Sequence, residues 1–285
     1  MIPERALRPR FALSLSAASG IVLREGVALI IGDDRTGLDR YDRSDGTVLT
    51  PIALLPGFDA LATLSKPEKP DLESLAELGD GTLVALGSGS RPNRDRGYRI
   101  AVDGSVRELD LSPLYAHLRR DIPDLNIEGA ALQGGDTLVL AHRGVGRGQA
   151  SRLIQLDARL LRKERVAVWP RSVLREVSGV DLGTLDGVAL AFTDLASGPD
   201  GVLYYLAAAE DTDDPYCDGH CRGSVIGRID SDGTAHVLAR LSPIVKAEGL
   251  AFSHREDGGD HWCVVTDADD PTLRAVLYDL RIPVE

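Results

Sequence analysis

Positive charge is the first thing this sequence is short of. Its 32 Lys and Arg stand against 44 Asp and Glu, a formal net charge of -12, and the basic residues are scattered along the chain. Phosphate-backbone recognition is driven by clustered Lys and Arg, so the expectation is no nucleic-acid partner. Long apolar runs are also missing: no tract reaches the length needed to cross a bilayer, which sets aside a membrane partner. Cysteine is scarce and odd in number, at 3, which favours a reducing compartment over a disulfide-stapled scaffold. Large apolar residues are thin, with 4 Phe and 1 Met, whereas 30 Gly and 15 Pro are present. That balance suits a globular chain with many turns and short strands.

The N-terminal stretch "MIPERALRPRFALSLSAASG" has the outline of a secretory signal, but its apolar centre is short and "FALSLS" alternates as a strand does. A cytoplasmic protein is expected, with a periplasmic or exported one as the alternative. At 285 residues the chain can bury a large core, and one all-β domain spanning 1–285 is the expected organisation.

What the chain does have is internal repetition. "ASGIVLREGVALIIGDDRTG" from Ala18 is echoed by "DLESLAELGDGTLVALGSGSRPNR" from Asp71, "NIEGAALQGGDTLVLAHRGVGRG" from Asn126, "FTDLASGPDGVLYYLAAAEDT" from Phe192 and "AEGLAFSHREDGGDHWCVVTDADD" from Ala247. Each unit opens with a polar residue in a short small-apolar strand, turns on Gly and Asp, and continues into a strongly apolar strand followed by two alternating ones. Aligned by that polar residue, the units place Ser19, Glu73, Glu128, Asp194 and Glu248 in one slot, at spacings of 54, 55, 66 and 54 residues. Four antiparallel strands per unit with Asp-Gly hairpins make a propeller blade. The expectation is a five-bladed β-propeller. The last unit has room for only three strands, and "RPRFALSLS" at the other end of the chain alternates correctly to supply the fourth. "LSPLYAHLRRDIPDLN", between the second and third units, reads as a helical excursion.

In a propeller the inner strand of each blade starts at the face to which the loop after the second strand returns. The slot acids should therefore ring one channel mouth, surrounded by Asp33 and Asp34, by "GSGSR", by His142 and Arg143, by Glu210 and Asp211, and by Asp267 and Asp269. Converging carboxylates repel and must be protonated, hydrated, paired with cations or neutralised by a metal. An all-oxygen ring suits Ca²⁺, whose coordination is loose and six- to eight-fold, with Glu73, Glu128, Asp194 and Glu248 as ligands. The alternative is a salt-bridge network in which Lys69, Lys246 and Arg143 satisfy the acids. "CDGHC", with Cys217, His220, Cys221 and Asp213, Asp214 and Asp218 around it, offers an incomplete zinc set; a loop disulfide or free thiols fit its spacing better.

The slots "ASGI", "IEGAA" and "AEGLA", with "KPDLESL" and "GPDGVLYYL", resemble the superfamily that holds the esterase-like phytase propellers, the bacterial SdiA-regulated propellers and, more distantly, the gluconolactonases. That resemblance covers nearly the whole chain. It implies a propeller, six-bladed if the gluconolactonases are the guide, with carboxylates on the channel axis as metal and substrate site. Two functions stay open at this point. One is a Ca²⁺-dependent hydrolase of a phosphoester, ester or lactone, with His142, Glu210 or Asp211 handling protons. Arg35, Arg91 and Arg143, with Arg94 and Arg147, would then clamp a small anionic substrate. The other is a non-catalytic propeller whose channel ion is structural and whose face binds a ligand or a protein.

Overall fold

The computed structural model describes residues 2–284 apart from Lys66, 145–149 and 212–219. Arg147, Asp213, Asp214, Cys217 and Asp218 thus lie outside the described residues, as does the side chain of His220.

Among the described residues, twenty-two strands form five antiparallel blades. Two short strands, β1 (Glu4–Ala6) and β2 (Arg8–Ala12), come first. Blade one is β3 (Ala18–Arg24), β4 (Val27–Gly32), β5 (Gly37–Asp42) and β6 (Val48–Ala53). Blade two is β7 (Leu72–Glu77), β8 (Leu83–Gly87), β9 (Arg96–Ile100) and β10 (Val106–Asp110). Blade three is β11 (Ile127–Gln133), β12 (Thr137–His142), β13 (Ser151–Asp157) and β14 (Leu174–Val180). In blade four the two-residue β15 (Thr184–Leu185) hairpins onto β16 (Val188–Ser197), followed by β17 (Leu203–Asp211), β18 (His220–Ile229) and β19 (Ala235–Ser242). Blade five is β20 (Lys246–Glu256), β21 (Gly259–Asp267) and β22 (Val276–Pro283), and β2 pairs antiparallel with β22 as its fourth strand. The ring is closed as the sequence predicts. An unforeseen addition is β1, which runs parallel to β19, so the N-terminal segment is stitched to blades four and five at once.

The turns follow from their residues. Between β3 and β4 the two-residue loop Glu25-Gly26 has φ of 46° and 80°, the doubly left-handed geometry that matches strand twist and that glycine adopts without strain. Packing follows from the alternation of each strand, because every blade buries both faces against its neighbours. The core is accordingly divided into five apolar clusters, one in each gap between adjacent blades. The expected helix is α1 (Ser112–Leu118). It buries Leu114, Tyr115 and Leu118 in the gap between blades two and three, and the Tyr115 hydroxyl donates to Gly87 O at 3.0 Å.

At the axis the inner strands β3, β7, β11, β16 and β20 crowd together, and small residues are required there. A Cβ on Gly129 would sit 2.5 Å from the backbone nitrogen of Leu195 in the next blade. Backbone cannot retreat from such a clash, so Gly129→Ala should lower stability by about 2 kcal/mol or more in a urea titration. Away from one mouth the channel is lined by Ile21, Leu75, Ala131, Leu195, Leu250 and Phe252 around a cavity of about 260 Å³.

Candidate metal and substrate site at one channel mouth

Every inner strand carries a β-bulge near its start. The pairing with the second strand skips one residue between Ala18 and Gly20, Leu72 and Ser74, Ile127 and Gly129, Phe192 and Asp194, and Ala247 and Gly249. The extra residues are Ser19, Glu73, Glu128, Thr193 and Glu248. A bulge re-aims its extra residue out of the alternating pattern, which is how a carboxylate enters an otherwise apolar strand without facing a dry core.

The structure therefore shifts the slot by one residue in blade four. Thr193 holds it, and its hydroxyl donates to Ala247 O at 2.6 Å, just as the Ser19 hydroxyl donates to Leu72 O at 2.5 Å. Asp194 sits one place further on, where the other blades carry Gly20, Ser74, Gly129 and Gly249. There its carboxylate accepts from the amides of Leu195 and Leu250, both at 2.7 Å, and ties blade four to blade five. Burial outweighs those two bonds and pushes its pKa well above the ordinary carboxylate range.

The acids fall into two connected groups. In the first, Asp33, Asp71 and Glu73 bring one carboxylate oxygen each to within 4.8 Å of one another. Asp71 stands just before β7 in the left-handed region, φ 55°, a conformation that Asp tolerates and that turns its side chain back toward the mouth. Lys69 pairs with Asp33 and, at 3.1 Å, with Asp71, while Arg94 reaches Asp71 at 2.7 Å. Burial disfavours a charged Lys69, yet Asp33, Glu73 and Asp71 together raise its pKa. Glu73 feels the charge of Lys69 but makes no ion pair among the described residues. Burial, with Asp71, Glu128 and Asp33 adding to it, pushes its pKa well up.

In the second group Arg143 lies 2.8 Å from Glu210 and 3.6 Å from Glu128, and Asn126 donates to Glu128 at 2.5 Å. Lys246 lies 3.3 Å from Glu248, 3.8 Å from Glu210 and 3.0 Å from Asp269. Glu210 Oε2 is buried with no hydrogen-bond partner among the described residues. Burial raises the pKa of Glu128 against the pull of Arg143 and Lys246, and that of Glu248 against Lys246. Asp267, paired in register with Lys246, is pushed up to about 7 by burial, with Lys246 opposing. Lys69, Arg94, Arg143 and Lys246 are outnumbered by the acids they serve. The salt-bridge network, offered by the sequence as the alternative to a metal, is present, and it leaves acids in surplus.

Several expected site residues are placed elsewhere. His142 is buried, with Nδ1 at 3.1 Å from both the amide nitrogen and the carbonyl oxygen of Asn126; burial lowers its pKa to about 4. It holds the loop and does not reach the carboxylates. Asp211 points outward and pairs with Arg222 at 2.7 Å. Arg35 is turned into the wall, donating to the carbonyls of Leu61 and Ser14 beside Asp39. Arg91 is exposed at the start of a short 3-10 turn, and Arg94 from that same turn is the one that reaches the acids. Cys221 is a free thiol directed at Val245 O. Sequence reasoning missed Asp71, which lies outside the slot, and the proton-holding character of Asp267, which only burial creates.

Several solved propellers share this architecture at low identity. A glutaminyl cyclase from Myxococcus xanthus superposes with a TM-score of 0.56 at 14% identity, covering 100% of both chains. A luciferin-regenerating enzyme gives 0.52 at 12% identity over 97% of this chain and 95% of the other. Regucalcin from Agrobacterium tumefaciens, a calcium-binding protein, gives 0.51 at 12% identity over 100% and 98%. These likenesses establish the fold alone. No curated protein matches the sequence. A family model does match residues 14–282, and this chain, five-bladed and acidic at one mouth, belongs to the family of unknown function DUF6929.

Proposed function

We propose that the protein is a divalent-cation-dependent hydrolase of small anionic esters, lactones or phosphoesters, with its reaction centre at the acidic mouth. The observation that carries this reading is the Asp33, Asp71 and Glu73 cluster, three carboxylates that share the single charge of Lys69 on the Glu73 side and whose third member makes no ion pair of its own among the described residues. An all-oxygen donor set of this kind fits Ca²⁺ rather than Zn²⁺. Support comes also from the likeness to regucalcin, described as a calcium-binding protein. When bound, the ion supplies electrophilic polarisation of the substrate oxygen. The chain's own residues supply the rest. Asp267, which exchanges its proton at about 7, is suited to move a proton at working pH. Arg143 and Lys246 hold positive charge at the mouth and orient an anionic group.

A second reading, a non-catalytic propeller, is favoured by Lys69, which already stands between Asp33 and Asp71. One measurement tests whether the cluster takes an ion at all, and a second separates the two readings. Lys69→Met should raise Ca²⁺ affinity, read by calorimetry, by about tenfold, because a competing cation has gone. If Lys69 is simply a structural counter-ion, the variant loses stability and takes up no Ca²⁺. A panel of lactones, aryl esters and phosphomonoesters, assayed with Ca²⁺ and with chelator, then tests hydrolysis itself.

The pH dependence has a definite sign. Asp267 has a raised folded pKa, about 7, against an unfolded value of about 3.9. Its contribution is fully present below about pH 4 and is lost as the pH rises through 7. Glu73, Glu248 and Asp194 shift in the same direction. In chelator the melting temperature should therefore fall between pH 5 and pH 8. Added Ca²⁺ should recover more of it at pH 8 than at pH 5, where protons compete. A flat profile in chelator would contradict the protonated mouth.

A further inference from the structure

Five of the arginines scattered through the sequence are gathered by the fold at one place. Where the N-terminal strands close the ring, an open cleft of about 580 Å³ is bordered by Arg5 on β1, Arg8 and Arg10 on β2, Arg43 just after β5, and Arg281 on β22. The imidazoles of His254 and His261 stack along its wall at 4.5 Å, tilted 9°. This is the opposite end of blade five from the acids: His254 is six residues beyond Glu248 on β20, about 20 Å away along the strand.

Most of these guanidinium groups are held in position without being neutralised. Arg10 donates to Arg43 O at 2.9 Å, Arg43 to Ser253 Oγ at 2.6 Å, Arg5 to Glu4 O at 3.0 Å, and Arg281 to Asp257 O at 2.8 Å. Among the lining residues the one carboxylate is Asp279, and it is taken by Arg10 at 2.9 Å. Beyond the lining, Glu256 stands 3.5 Å from His254. Arg8 is exposed with no side-chain partner among the described residues, and Arg43 Nε is buried without a hydrogen bond. A chain of net charge -12 has thus assembled a positive cleft in which, among the described residues, Arg10 alone of the five arginines has a carboxylate partner.

We propose that this cleft binds a small phosphorylated ligand carrying at least two negative charges. Several arginines and no lysine line it, and the planar guanidinium fork matches phosphoryl oxygens two at a time. The volume is that of a small-molecule site, and a net charge of -12 over the chain argues against a nucleic-acid track. The cleft is formed by β1, β2, blade five and the edge of blade one, so an occupant clamps the ring's closure. This inference does not rest on the hydrolase reading.

The test uses the full chain in EDTA, so that ions at the acidic mouth take no part. Inorganic pyrophosphate and a nucleoside diphosphate are titrated separately by calorimetry, with sulfate at matched ionic strength as the control. Both diphosphates should bind, with the tighter one identifying a free or an organic phosphate as the source, and each should raise the melting temperature. Arg5→Gln/Arg8→Gln alters one half-buried and one exposed side chain, neither of them with a carboxylate partner among the described residues, and should melt as the wild type does while weakening binding by about tenfold or more. Glu73→Gln should leave this binding unchanged. No binding at millimolar diphosphate, equal binding of sulfate, an unaffected double variant or loss of binding in Glu73→Gln would each overturn the proposal.

Discussion

Removal of residues 1–16 should abolish cooperative folding. The segment supplies two strands, β1 on blade four and β2 on blade five, and so leaves two ladder edges bare when it is gone. It also withdraws Leu7, Leu13 and Leu15, each at most 4% exposed, from the clusters between blades four and five and between blades five and one. At about 1.5–3 kcal/mol for each fully buried leucine, roughly 5–9 kcal/mol is lost from these side chains alone. That is comparable with the whole stability of an ordinary domain, about 5–15 kcal/mol. The truncated chain should show no sigmoidal melt by circular dichroism and should bind a hydrophobic dye. A cooperative melt within a few degrees of the full chain would mean that the ring holds without its closure.

Lys246→Met should be the most damaging point substitution at the mouth. Lys246 is 8% exposed and stands within 4 Å of Glu210, Glu248 and Asp269. Methionine replaces its stem but leaves those carboxylates facing one another in a poorly solvated site. Removing one partner of a buried ion pair costs about 3–5 kcal/mol, and that loss is expected at pH 8 by urea denaturation. At pH 5 the deficit should shrink, since Glu248, already raised by burial, takes up a proton instead of holding an unpaired charge. A loss that is equal at both pH values would assign the effect to packing. Ca²⁺ that restores stability at pH 8 would show that an ion can stand where the ammonium stood.

The fold was legible because its signals are local and repeated. Gly-Asp turns, alternating strands and a polar residue at near-constant spacing are written into every unit, and even the strand borrowed from the N-terminal end announced itself in "RPRFALSLS". The site was legible only in part. Blade four offers Thr193 and Asp194 side by side, and matching by charge selects the acid, whereas the bulge selects the hydroxyl. A bulge is a property of backbone pairing. The signal that would have found it is the small residue after the slot, Gly20, Ser74, Gly129 and Gly249, which aligns with Asp194 and not with Leu195. Asp71 precedes its strand in a linker that reads as loop, and Arg35 carries the same charge as Arg94 while facing the wall. Which arginine reaches the mouth depends on side-chain direction, and side-chain direction is set by the assembled blades.

The bulges carry one last implication, for how such a protein changes over time. A residue that stands outside the ladder holds no strand in register, and here the same backbone kink is occupied by serine, glutamate, glutamate, threonine and glutamate without altering the blade. The mouth is in this sense a row of interchangeable fittings on a fixed frame. Exchanging one acid of the row for another residue rewrites the chemistry presented at the axis on the same frame, whereas Ser19 and Thr193, whose hydroxyls each donate to a carbonyl of the next blade, are fittings that also tie the ring together.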